Sequence, residues 1–279
     1  MTRADSSISS SGSIVSCMTP IRNGTGTKPI LESARIAPCT WVTGPDRGGR
    51  ALEGGGGAID NADVAVTIDQ SHGSEFLTQR VVRCGPGRSG PRRLEATQEI
   101  LFVESGRGTL RVGDETHPLE PDTGAYVVSG EEYELENSGP DDLVVVVVEA
   151  PQEDGAANTP VRRTVRYADQ PTLPAGSDRE FRYLVNQDVG CRDITQFLGL
   201  IAPGRAPNHS HIYDEIVYII DGEGILHLGG EQRVIGPGSA MHLPPLAEHC
   251  LENTGKGSMR VLGVFHPSGD PASRAHESE

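Results

Sequence analysis

Residues 204–224, GRAPNHSHIYDEIVYIIDGEG, and residues 236–253, GPGSAMHLPPLAEHCLEN, decide how the chain is read. In the first, His209, His211 and Glu215 are all odd-numbered within a β-branched and aromatic run, so an extended strand turns the three side chains to one face. That is a metal-ligand spacing. In the second, His249 follows a Gly-Pro-Gly turn and a Pro-Pro pair, where a returning strand could set a fourth ligand beside the first three. Three imidazoles and a carboxylate suit a divalent transition metal. The plainer reading is that buried histidines hydrogen-bond within a core.

The joint spacing Gly-x4-His-x-His-x3-Glu-x6-Gly and Gly-x5-Pro-x4-His-x3-Asn resembles the paired motifs of the cupin superfamily. Two positions depart from that pattern: the gap from Gly204 to His209 is one residue short, and Leu246 stands where the second motif usually has glycine. The resemblance implies a β-barrel of jelly-roll type with one divalent metal per chain in its mouth, held by His209, His211, Glu215 and His249. Fe2+ or Mn2+ leads the candidates, with Ni2+, Cu2+ or Zn2+ as others.

A shift of 116 residues lays Pro91 on Pro207, Glu99 on Glu215, Gly106 on Gly222, Gly113 on Gly229 and Asn137 on Asn253, so the chain contains an internal repeat. Turn glycines and strand-end residues recur, the positions a barrel constrains most. The chain therefore resembles a bicupin: all-β, two tandem barrels. Read without a gap, the shift places Arg93, Glu95, Glu99 and Tyr133 at the four ligand positions of the first copy. A guanidinium cannot ligate and repels a cation, so the first barrel should hold no metal. Arg93 is expected to pair internally with Glu95 or Glu99; the alternative is an anion pocket built on Arg93 and Tyr133.

At 279 residues the chain has room for two modest cores, and its Gly and Pro abundance with short β-branched runs is an all-β composition. A net charge of −15 without a basic tract argues against nucleic acid or an anionic membrane as partner. Five scattered cysteines suggest no disulfide framework, and no apolar run has the length of a signal peptide core or a membrane span, so a cytoplasmic protein is expected. Composition divides the chain into an extended, mostly flexible N-terminal arm (1–60, with Trp41 in a short β-like run), a first barrel (61–155), a second barrel carrying the metal site (156–268) and a polar, fraying tail (269–279). The run VVVVV at 144–148 has two apolar faces to cover, by the second barrel or by another copy, and a homodimer is expected.

Four ligands leave two octahedral positions open, which suits catalysis rather than a closed structural site. Val217 and Ile219 continue the face of Glu215 as an apolar floor, which Tyr213 could join. His227 and His242 are further histidines of the second barrel, each a candidate base or a satisfied core or surface residue. The expected catalytic set is Glu215, Tyr213 and His242. Lys28 and Lys256 are the only lysines, so Schiff-base chemistry has little support. The three-histidine, one-glutamate set resembles that of quercetinase-type dioxygenases and oxalate-type manganese decarboxylases; the pattern of ureidoglycine aminohydrolase, with glutamate and glutamine among its ligands, does not match His209 and His249. The leading expectation is an oxygenase acting on a small molecule that reaches the metal through oxygen. A redox-neutral isomerase, decarboxylase or lyase is the alternative, and a non-catalytic small-molecule-binding cupin the third.

Overall fold

The computed structural model describes residues 61–152, 159–273 and 276–277. The expectations for the N-terminal arm and Trp41 lie outside these residues. Among the described residues there is no α-helix, and every strand pairing is antiparallel. Each repeat folds as a larger sheet facing a smaller one. In the first repeat the larger sheet runs Ala62–Ile68, Thr78–Cys84, Leu143–Pro151, Thr97–Ser105, Thr123–Val127, Thr164–Arg166; in the second it runs Leu173–Pro174, Arg179–Val185, Thr195–Ile201, Met259–His266, Asp214–Asp221, Ala240–Leu243. Thr164–Arg166 closes the edge of the first repeat's sheet, although the linker composition of 150–160 puts that strand beyond the boundary.

Strand alternation sorts the apolar residues into three layers. Val145 and Val147 fill the first barrel with Leu101, Val103 and Leu110. Val144, Val146 and Val148 face the other way and meet Leu198, Ile216, Leu262 and Val264 of the second barrel's larger sheet. The two large sheets thus pack face to face, with Tyr218 donating to Glu104 at 3.2 Å and Arg260 to Asp122 at 2.7 Å across the contact. The valine run is therefore covered on both faces within one chain, and it supplies no reason for a second copy. Inside the second barrel, Val217, Ile219, Leu226, Met241 and Val261 form the third layer.

The recurrence of Leu-Glu-Asn-x-Gly has a physical cause. Asn137 spans its turn by donating to the Cys84 carbonyl at 2.9 Å and the Asp141 carbonyl at 2.8 Å, and Asn253 does the same to Ile201 and Gly257, both at 2.8 Å. In each copy the Asn side-chain oxygen accepts the N–H of the glycine two residues on, at 2.9 Å.

The pairing also corrects the register of the repeat. His209 faces His249, and in the first barrel it is Arg92, not Arg93, that faces Tyr133. Cys84 and Ile201 occupy the same place beneath the two asparagines, so the offset before the ligand strand is 117, and it falls to 116 at Glu99 and Glu215. The first copy carries one more residue between Leu94 and Glu99 than the second does between His211 and Glu215. The ligand positions of the first barrel are accordingly Arg92, Leu94, Glu99 and Tyr133. Arg93 pairs with Glu95 at 3.3 Å on the surface instead of filling the old site.

What fills it is a buried network. Arg92 donates to Glu99 at 2.6 Å and to Glu149 at 2.8 Å, Arg80 bonds the same two carboxylates, and the Tyr133 hydroxyl donates to Glu99 at 2.6 Å. Burial, with the Glu99 charge beside it, pushes the Tyr133 phenol well above its ordinary range. These groups satisfy one another, which leaves neither an anion pocket nor a metal site at this position.

Candidate metal centre

The strand Asp214–Asp221 lies between Met259–His266 and Ala240–Leu243 in the larger sheet, and its odd residues Glu215 and Val217 point into the barrel. His209 sits on a two-residue strand of the smaller sheet, directly across from His249, and His211 follows two residues on. One ring nitrogen of each of His209, His211 and His249 lies within 4.8 Å of the others, so the three could hold a metal ion. Glu215 completes the cluster, its Oε2 3.6 Å from His211 Nε2 and 3.8 Å from His249 Nε2.

Each imidazole is oriented from behind. His209 Nδ1 lies 3.3 Å from the Pro207 carbonyl, His211 Nδ1 2.9 Å from the Ser273 carbonyl and His249 Nδ1 2.9 Å from the Ala247 carbonyl. A carbonyl only accepts, so each Nδ1 carries the proton and each Nε2 keeps its lone pair for the centre of the cluster. Burial, with the neighbouring rings and Arg179 adding to it, lowers the His209 pKa to about 2, and burial with Arg179 lowers that of His249 to about 4. Both rings are neutral at ordinary pH, as metal ligands must be. Burial also raises Glu215 to about 8, against the opposing pull of Arg179. Its Oε2 is a buried acceptor with no hydrogen-bond partner among the described residues. An orphaned carboxylate oxygen facing neutral imidazoles is what a divalent cation would satisfy. The residues fit the metal.

The site opens into a narrow, partly open cleft of about 60 Å3. Its walls are Phe197, Phe265, Val217, Leu243 and Val261. Gly263 is required here: a Cβ on it would lie 2.2 Å from the Phe197 ring, which lies across the sheet at that point. Val217 lines the cleft as expected, whereas Ile219 lies deeper, in the barrel core.

Two expected catalytic residues are placed elsewhere. His242 is even-numbered on its strand, so it leaves the sheet on the face away from the cleft, where its Nε2 bonds Asp214 Oδ1 at 2.5 Å in a buried pair that Ser74 joins at 3.4 Å. Tyr213 stacks on His211, with ring centroids 5.0 Å apart and planes 14° from parallel, and donates to the Asp270 carbonyl at 2.7 Å. Burial holds its phenol far above the ordinary range, and its role is to brace His211. His227 bonds Glu252 at 2.7 Å, away from the cleft.

Sequence reasoning missed the segment after His266. The polar tail has no apolar anchor in its sequence, yet Pro271 lines the cleft, Asp270 and Ser273 receive Tyr213 and His211, and His276–Glu277 pairs with His209–Ser210. Gly269 permits this approach, because a Cβ there would meet the Tyr213 ring at 2.4 Å. Backbone carbonyls do this work, and they leave no signal in residue type.

A family model described as Cupin domain matches residues 80–149 and 197–265. An uncharacterized protein of Aquifex aeolicus is 32% identical over 78 residues, 28% of this chain and 64% of that protein. The auxin-binding protein T85 of Nicotiana tabacum is 35% identical over 88 residues, 27% of this chain and 47% of that protein. The chain thus spans less than two thirds of the length of these curated relatives. Among solved structures, Escherichia coli Ylba superposes with a TM-score of 0.67 at 12% identity, covering 86% of this chain and 94% of that one. A deletion mutant of Bacillus subtilis oxalate decarboxylase gives 0.63 at 14%, covering 78% and 76%, and hazelnut vicilin 0.61 at 12%, covering 76% and 83%. At these identities the likeness is one of fold.

Proposed function

The chain belongs to the cupin superfamily as a bicupin, and from that premise we propose that it is a metal-dependent enzyme, with oxygenase chemistry on a small organic molecule as the leading reaction. One observation carries this reading: three neutral imidazoles and the orphaned Glu215 oxygen converge at the base of an apolar cleft. His209, His211, His249 and Glu215 would hold a divalent metal, iron or manganese before nickel, copper or zinc. Once bound, such a metal supplies Lewis acidity and, as iron or manganese, a redox centre.

The protein's own part is to orient and to exclude. The Pro207, Ser273 and Ala247 carbonyls fix the ring tautomers, and the phenylalanine walls keep bulk water from a bound substrate. Glu215, raised to about 8 when alone, is the group able to take or hold a proton beside the ligands. A redox-neutral decarboxylase, isomerase or lyase is the second reading, and it is supported by the fold shared with oxalate decarboxylase. The deciding experiment is an oxygen-electrode screen of iron- and manganese-loaded protein across small enols, catechols, flavonols and hydroxy acids, repeated anaerobically. Turnover that continues without dioxygen moves the assignment to the second reading, and no turnover of any candidate favours a binding protein. A dimer and a cytoplasmic location belong to the same proposal, and light scattering tests the first. Among the described residues no helix is long and apolar enough to cross a membrane.

A further inference from the structure

The cleft beside the cluster carries one partly buried cation. Of the described residues lining it, only Arg179, Glu180 and Glu215 are charged, and Glu180 is exposed at the rim. Arg179 is on the first long strand of the second barrel, opposite Ile201, with its side chain 13% exposed. Its Nε is buried with no hydrogen-bond partner among the described residues. Its one ion pair, with the more exposed Asp178, is long at 3.5 Å.

The two barrels, built on one strand plan, show that this arrangement is particular to the second. Ala62, opposite Cys84, takes the place of Arg179 in the first barrel. There the arginines are Arg80 and Arg92, and both Glu99 and Glu149 neutralise them. In the second barrel Phe197 stands for Arg80, and Phe265, opposite Glu215, stands for Glu149, opposite Glu99. The second carboxylate and both arginines of that network are gone, and a single guanidinium stands where the first barrel has Ala62. A partly buried guanidinium with an unused donor beside an aromatic wall is a receptor for a planar anion.

We propose that Arg179 binds the carboxylate of a small substrate whose apolar body rests on Phe197 and Phe265, close enough to the histidine cluster for the same molecule to reach the metal. The proposal rests on the metal-site reading for the location of the chemistry, but the anion site itself stands on Arg179. The substrate class is a small carboxylate with a flat or apolar remainder.

The test uses benzoate and its neutral analogue benzyl alcohol, titrated calorimetrically into full-length protein, metal-free and zinc-loaded. Benzoate should bind the wild type more tightly than benzyl alcohol, and Arg179→Gln should weaken benzoate by about tenfold or more, the scale of a charge-assisted pair, while leaving benzyl alcohol unchanged. Arg179→Lys, which keeps the charge but loses the planar fork, should fall between, and it carries the test should Arg179→Gln not fold. Equal benzoate affinity in wild type and variants, or no benzoate binding to the wild type with or without zinc, overturns the proposal. Failure of zinc to bind while benzoate still depends on Arg179 overturns the metal reading instead.

Discussion

Arg92 lies opposite Tyr133 across the strand pair that, in the second barrel, sets His209 opposite His249. One position in the fold has thus been given a cation in one copy and a neutral imidazole in the other. Metal should bind at one equivalent per chain, measured by elemental analysis after dialysis, and His211→Ala or His249→Ala should abolish it. Two equivalents would contradict the assignment of the first barrel.

The network at the corresponding positions of the first barrel should be a stability element. Glu99 is fully buried and receives Arg80, Arg92 and Tyr133 together. Removing it leaves both guanidinium groups to Glu149 alone and takes the acceptor from the buried Tyr133 hydroxyl, so Glu99→Ala should cost about 3–5 kcal/mol in chemical denaturation. Metal content should be unchanged, because the cluster in the second barrel does not touch these residues. A loss below 1 kcal/mol would mean that water solvates this network.

The candidate quartet of His209, His211, Glu215 and His249 was legible because it uses rare residue types at fixed parity, and parity follows from the strand alone. His242 was misread where parity should have excluded it: His242 is even, and the ligands on its neighbouring strand pair with its odd neighbours, as Glu215 does with Leu243. The gap-free repeat failed for a different reason. Pro91 falls on Pro207 at an offset of 116 by coincidence, whereas the strands fix 117 there. Arg179 was hidden because REFRYLV reads equally well with its arginines in solvent, and only the neighbouring strands decide that the first of them faces the cleft.

Leu246 departs from the family's glycine, and the backbone shows why glycine is usual. Its φ is 63°, and the same turn in the first barrel carries Gly130 at 84°. The equivalent N–H bonds confirm the match: Leu246 donates to the His211 carbonyl at 2.7 Å and Gly130 to that of Leu94 at 2.8 Å. A left-handed residue with a Cβ costs about 1–2 kcal/mol, partly offset by the greater freedom glycine has when unfolded. Leu246 is also largely exposed, so little burial is lost on its removal. Leu246→Gly should therefore be neutral or stabilising by up to about 1 kcal/mol, and Gly130→Ala destabilising by about 1 kcal/mol, both read from denaturant midpoints. Destabilisation by Leu246→Gly would show that this side chain packs against something in solution.

The last prediction concerns the tail that the sequence left without an anchor. Ser273 accepts the His211 Nδ1 proton at 2.9 Å, and Asp270 accepts the Tyr213 hydroxyl whose ring stacks on His211. Both contacts come from backbone carbonyls, so no side-chain substitution within the tail removes them; truncation after Gly269 does. The truncated chain keeps all four ligands and every strand of the larger sheets, and its unfolding midpoint should shift only slightly. Its His211, however, loses the acceptor that fixes the ring's tautomer and aim, and outer partners of this kind commonly contribute 10–100-fold, roughly, to metal affinity. Zinc competition against a chromophoric chelator should show a loss in that range, and imidazole nitrogen shifts should show His211 populating both tautomers. Replacing Ser273 by Ala, which keeps the carbonyl, should leave affinity unchanged. Unaltered zinc affinity in the truncated chain would show that Tyr213 and the strand geometry alone hold His211 in place.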